Sequence, residues 1–189
     1  MKKVFIIHGW DFNPKMNWYP WLKRELEDLG FDVKVPSMPK TESPEINTWV
    51  DKLSDLVKIP DANTYFVGHS IGCQTILRYL ESINKKVGGA VFVAGWLNLT
   101  NLEGKEVENI VRPWLETKIY FNKVKKVLPK LSVILSDNDP YNCLEENSKI
   151  FKEKLSANVI IEKNKGHFTE SDGVKKLPIV LKELLRLLR

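Results

Sequence analysis

An alternating α/β fold, with a parallel sheet covered on both faces by helices, is what this sequence predicts. Three observations carry that expectation. Short runs rich in β-branched residues alternate with longer stretches of helical periodicity along the chain. Several of the short runs are apolar without interruption, as strands buried on both faces are. The 189 residues show neither an internal repeat nor a Gly/Ser- or Pro-rich linker, so a single domain spanning 1–189 is expected.

Val4-Phe5-Ile6-Ile7 is the first strand. Trp18 to Leu29 reads as a helix, with Trp18, Leu22, Leu26 and Leu29 at helical spacing and Gly30 at its end. Asp32 to Val35 is a short second strand, stopped by Pro36 and Pro39. Ser43-Pro44 offers an N-cap and a proline at the first helical position. Ile46, Trp49, Val50, Leu53, Leu56 and Val57 then recur every three or four residues, which predicts a helix. Thr64 to Val67 is a strand, Ile71 to Ile83 a helix, and Ala90 to Ala94 a strand. Residues 95–128 are less regular. Val133 to Leu135 is the fifth strand, Leu144 to Leu155 a helix, and Val159 to Ile161 the sixth strand. A last helix starts near Pro178, with Leu181, Leu184, Leu185 and Leu188 on one face.

Composition excludes several classes. Hydrophobic residues are 43% and charged residues 28%, which is ordinary for a globular chain and not for a disordered one. No apolar run approaches the roughly 18 residues that span a bilayer. Met1-Lys2-Lys3 looks like the start of a secretory signal, but the apolar run behind it stops at Ile7. Cys73 and Cys143 are too few for a disulfide framework, so a cytoplasmic protein is expected. The net charge of +5 is spread along the chain. Its one local concentration, Lys123, Lys125, Lys126 and Lys130, reads as a solvated helix face and not a nucleic-acid footprint. Neither nucleic acid nor membrane is an expected partner, and oligomeric state is not legible.

In an open α/β sheet the site lies beyond the carboxyl ends of the strands. There, after the third strand, stands Gly68-His69-Ser70-Ile71-Gly72, a G-x-S-x-G turn between a strand and a helix. The turn is tight enough that a side chain two residues either side of the serine would strike neighbouring backbone. The serine hydroxyl is pushed out at the head of the sheet, in front of a helix N-terminus. Such a hydroxyl needs a base. Of the three histidines, His69 lies within the turn and His8 ends the first strand, where it suits a loop-holding role. His167 follows the sixth strand, in the chain order nucleophile, acid, histidine, and is the expected base. Asp137 and Asp139, after the fifth strand, both qualify as the acid. Asp139 is preferred because Pro140 holds it extended. The backbone N–H groups of Ile71 and Trp10 are the expected oxyanion donors.

Taken together, His8-Gly9-Trp10, Gly68-His69-Ser70-Ile71-Gly72, Arg112-Pro113-Trp114, Ser136-x-x-Asp139-Pro140 and Gly166-His167-Phe168 resemble the small α/β-hydrolases related to retinoblastoma-binding protein 9. The resemblance spans nearly the whole chain. It implies an α/β-hydrolase three-layer sandwich with strand order 2-1-3-4-5-6, and Ser70, Asp139 and His167 as nucleophile, acid and base. The chain lacks the vertebrate member's Leu-x-Cys-x-Glu segment, so binding to pocket proteins is not carried over.

Aromatic residues flank the serine on two segments. One runs from Trp10 to Trp21; the other holds Trp96, Trp114, Tyr120 and Phe121. Trp96 and Trp114 are the candidate substrate-pocket residues, whereas Trp18 and Trp21 are expected to pack helices on the sheet. The stretch 95–128 is too short for a full lid domain, which predicts a shallow pocket for a small ester or acyl substrate. No His-x-His or Cys-x-x-Cys spacing supports a metal site, and no cofactor is expected. The rival reading is a protein-binding module on a hydrolase scaffold, which an intact Ser, Asp and His in the right order argues against.

Overall fold

The computed structural model describes residues 1–188. Six strands form one parallel sheet: β1 (Lys3–Ile7), β2 (Asp32–Lys34), β3 (Thr64–His69), β4 (Gly89–Val93), β5 (Leu131–Ser136) and β6 (Asn158–Glu162). Their order is β2-β1-β3-β4-β5-β6, as the resemblance implied. The helices are α1 (Tyr19–Asp28), α2 (Ile46–Val57), α3 (Ile71–Ser82), α4 (Lys105–Glu116), α5 (Phe121–Val127), α6 (Leu144–Leu155) and α7 (Pro178–Leu187). None of them is long and apolar enough to cross a membrane.

The period of two along each strand divides the core into two layers. Val4, Ile6, Val67, Val91, Val93 and Ile134 face α1 and α7. Phe5, Ile7, Phe66, Phe92, Val133 and Leu135 face the helices on the other side, among them α2 and α3. Parallel pairing aligns the carboxyl ends: Ile7 registers with Gly68, and His69 with Val93. The loops after β1, β3 and β4 therefore leave the sheet at one level.

Three details differ from the sequence expectation. Ser43 does not cap α2, whose N-cap position is Glu45 and carries no side-chain cap. The turn Lys40–Ser43 instead closes on itself through Ser43 N–H and the Lys40 carbonyl. Residues 95–128 contain two helices, α4 and α5, and Pro113 lies inside α4. Helix α7 is turned from its leucine stripe: Val180, Glu183, Leu184 and Leu187 are its buried positions. Glu183 is tolerated there because its carboxylate accepts from Ser132 Oγ (2.8 Å) and Arg186 Nε (2.8 Å). Those donors also hold its carboxyl below the usual range against the opposing effect of burial.

Candidate active site

Ser70 sits between β3 and α3 with φ 54° and ψ −122°, a strained conformation for a residue with a side chain. Its N–H donates to the Val93 carbonyl at 2.9 Å, which fastens the turn to β4. Both flanking glycines are sterically required. A Cβ on Gly68 would stand 2.9 Å from the Cys73 backbone, and one on Gly72 would collide with the Ile7 carbonyl. Ile71 opens α3, where a backbone N–H has no partner within the helix. Cys73 is fully buried one turn along, and burial pushes its thiol well above the usual range, so it is inert.

Across the sheet edge, His167 Nδ1 meets Asp139 Oδ2 at 2.8 Å. The Asp139 side chain is 1% exposed and that of His167 15%, so the carboxylate is withdrawn and the ring reaches the surface. The second Asp139 oxygen accepts from Tyr141 N–H at 3.0 Å. An Nδ1–H held by a carboxylate leaves Nε2 with its lone pair free. Asp137 has another occupation: its Oδ1 accepts from Asn164 N–H at 2.8 Å. Asn138 and Ser136 likewise take the N–H groups of Gly166 (2.8 Å) and Lys165 (3.0 Å). The β5 loop thus carries the β6 loop. Asp172, which no sequence pattern marked, secures the other side of His167 by accepting its N–H at 2.9 Å, together with the N–H of Thr169.

The remaining histidines are structural. His8 is fully buried, with Nδ1 on the Gly9 carbonyl (2.8 Å) and Nε2 accepting Met38 N–H (3.1 Å). His69 lies at the centre of a buried relay. Gly9 N–H donates to Tyr19 Oη at 3.4 Å, Tyr19 Oη donates to His69 Nδ1 at 2.5 Å, and His69 Nε2–H donates to the His167 carbonyl at 2.8 Å. That sequence of donors requires neutral imidazole. Burial, reinforced by the neighbouring His167, lowers the His69 pKa to about 3. The relay ties the loops after β1, β3 and β6 to one another.

Ser70, His167, Trp10, Ile71 and Trp96 all line one cavity of about 660 Å³. Ser70 Oγ receives a hydrogen bond from Trp96 Nε1 at 3.4 Å, and no direct Ser70–His167 hydrogen bond is present among the described residues. One wall is Val107, Ile110 and Val111 of α4. Trp114 belongs elsewhere: it is 1% exposed, packs edge-on against Trp49, and donates from Nε1 to the Pro44 carbonyl at 2.9 Å. The expectation of a pocket role for Trp114 is therefore corrected; it is a core residue that anchors α4. Asp11, Glu42, Glu103 and Glu106 also line the cavity, with no lysine or arginine among the lining residues.

Comparison with known proteins agrees with this architecture. The chain is 31% identical over 185 residues to the Bacillus subtilis protein YdeN, which carries a hydrolase name, covering 95% of this chain and 92% of that one. The crystal structure of the B. subtilis ydeN gene product superposes with a TM-score of 0.89 at 29% identity, covering 99% of this chain and 98% of the other. The serine hydrolase RBBP9 of Rattus norvegicus is 24% identical over 165 residues, 86% of this chain and 84% of its own. A family model described as serine hydrolase matches residues 4–186. The chain belongs to the serine hydrolase family and is a hydrolytic enzyme.

Proposed function

We propose that the protein cleaves small carboxylic esters through an acyl-enzyme on Ser70, with His167 as base and Asp139 as its orienting acid. The observation that carries this reading is the Asp139–His167 pair at 2.8 Å, opening into the same cavity as a serine on a strand-to-helix elbow. His167 Nε2 takes the Ser70 proton as Oγ attacks the carbonyl carbon. The carbonyl electron pair moves onto oxygen, facing the N–H groups of Ile71 and Trp10. Collapse expels the alcohol, which receives the proton from His167. Water then attacks the acyl-enzyme by the same proton path, releasing the acid and restoring Ser70. Asp139 stabilises the imidazolium formed in each half-reaction and keeps Nδ1 protonated. Thioester and amide bonds share this machinery, and a cavity of about 660 Å³ has room for a substrate of ordinary small-molecule size. No step draws on a metal or cofactor.

The test is labelling by a fluorophosphonate probe, followed by turnover of short-chain aryl esters. Ser70→Ala is expected to abolish labelling and lower turnover by about 10⁴ or more while leaving the fold intact. A parent protein that neither labels nor turns over any ester would instead favour a binding role for the scaffold.

A further inference from the structure

The hydrogen bond onto Ser70 Oγ comes from a side chain outside the triad. An indole N–H only donates, so Trp96 occupies one of the two Oγ lone pairs. The hydroxyl proton stays free for the base, and the second lone pair for the carbonyl carbon. At 3.4 Å the contact is long for a neutral pair. It strengthens as Oγ gains negative charge, which happens when its proton leaves and again when the acyl group departs.

Trp96 is itself firmly held. It is 2% exposed, and its carbonyl accepts from Gln74 Nε2 at 2.9 Å. Asn142 Nδ2 donates to the Gly95 carbonyl at 3.1 Å. Asn147 Oδ1 accepts from Leu97 N–H (2.8 Å) and Asn98 N–H (2.9 Å), while its Nδ2 donates to the Asn98 carbonyl (2.8 Å) and Asn142 Oδ1 (2.8 Å). Three buried amide side chains, from α3, the β5 loop and α6, thus fix the four residues Gly95 to Asn98. These bonds fix the backbone on both sides of Trp96 and so the point from which its side chain enters the cavity, while the contact of Nε1 with Ser70 Oγ sets the direction of the ring.

We propose that Trp96 is a positioning residue for the nucleophile. Its indole N–H sets the rotamer of Ser70 Oγ and holds it more tightly as charge builds there. This rests on the reading of Ser70 as nucleophile.

Two replacements separate the N–H from the ring: Trp96→Phe, and substitution of Trp96 by 3-benzothienylalanine, which keeps the bicyclic shape with sulfur in place of N–H. The readouts are the rate of fluorophosphonate labelling, kcat and KM on a short-chain aryl ester, and the melting temperature. In the isosteric variant, labelling and kcat are expected to fall about tenfold. Its KM is expected to stay within about twofold, with melting unchanged. Should Trp96→Phe fold poorly, the isostere carries the test. An isostere that labels and turns over at the parental rate overturns the proposal and leaves Trp96 as a pocket wall. Ser70→Ala runs beside it. If that variant is inactive while the isostere is normal, only the role of Trp96 falls; if Ser70→Ala is as active as the parent, the nucleophile reading and this inference fall together.

Discussion

Two aspartates two residues apart illustrate how one carboxylate differs from another. Asp139 contacts the His167 ring, whereas Asp137 holds a backbone N–H of the next loop. Asp139→Asn removes the charge that stabilises imidazolium and is expected to lower kcat/KM by about 10²–10⁴. Asp137→Asn keeps an oxygen for Asn164 N–H and is expected to cost far less; the opposite ranking in steady-state kinetics would move the role to Asp137. His69 gives a prediction about stability. Its pKa is lowered to about 3 in the fold, while an unfolded imidazole titrates near ~6.5. Between those values the unfolded chain binds the extra proton, so stability falls as pH drops below ~6.5. The buried His8, whose pKa is also lowered, adds to the loss. Urea unfolding at several pH values is expected to show about 1.4 kcal/mol lost per unit from His69 over that range, with a further loss from His8. His69→Gln should start less stable at pH 7 and show a shallower decline; an unchanged slope would mean that His69 is not held neutral.

Among the elements, α4 supplies one wall of the cavity. It presents Val107 and Ile110, both half-buried, to the space in front of Ser70. Ile110→Ala opens that wall without hollowing the core. The ratio of kcat/KM for a hexanoyl over an acetyl aryl ester is expected to rise about tenfold, the worth of one or two methylenes in an apolar pocket. A ratio that does not move would place the acyl group against another wall. This helix is also where the sequence was hardest to read. Pro113 removes the N–H that would bond the Asn109 carbonyl, and that signal argues for a break. Tertiary contacts overrode it: Trp114 inserts into the core, and Arg78 from α3 donates to the carbonyls of Trp114 (2.8 Å) and Thr117 (3.0 Å), closing the helix end. The stripe on α7 misled for a related reason. Leucine spacing names an apolar face, yet a carboxylate with a serine and an arginine to meet it is buried as readily.

For the molecule as a whole, the charge is unevenly placed. The net charge is +5, yet the cavity lining carries Asp11, Glu42, Glu103 and Glu106 and no basic residue. None of these carboxylates is in an ion pair among the described residues. An ester bearing a carboxylate is therefore expected to be hydrolysed about tenfold more slowly than a neutral isostere. High salt should narrow the gap, as should Glu103→Gln with Glu106→Gln. Equal rates at low salt would show that the reacting bond lies beyond reach of these charges. The strands were legible because parallel strands buried on both faces leave uninterrupted apolar runs. The loops that gather around the cavity were legible because open sheets bring their carboxyl ends to one edge. What escaped was identity within a residue type. Trp96 and Trp114 look alike in sequence, and only packing sends one to the cavity and the other to the core. The relay through Tyr19 and His69 has no spacing signature, since its members are distant in the chain.

The segment between β4 and β5 has one further consequence. Its near end is clamped by Asn147 of α6, its far end by Arg78 of α3, and both clamps grip backbone carbonyls or amides. A fastening that grips main chain is indifferent to the side chains between its ends. The exposed positions of residues 99–113 therefore form an interchangeable cassette, one that drift or directed evolution is free to rewrite while the anchors and the buried Val111 stay put. Libraries confined to those exposed positions, with Val111 kept, should yield a larger share of folded, active clones than libraries of equal size in the loops after β1 or β6. There the mutual ties through Tyr19 and His69 make each loop a hostage to the others.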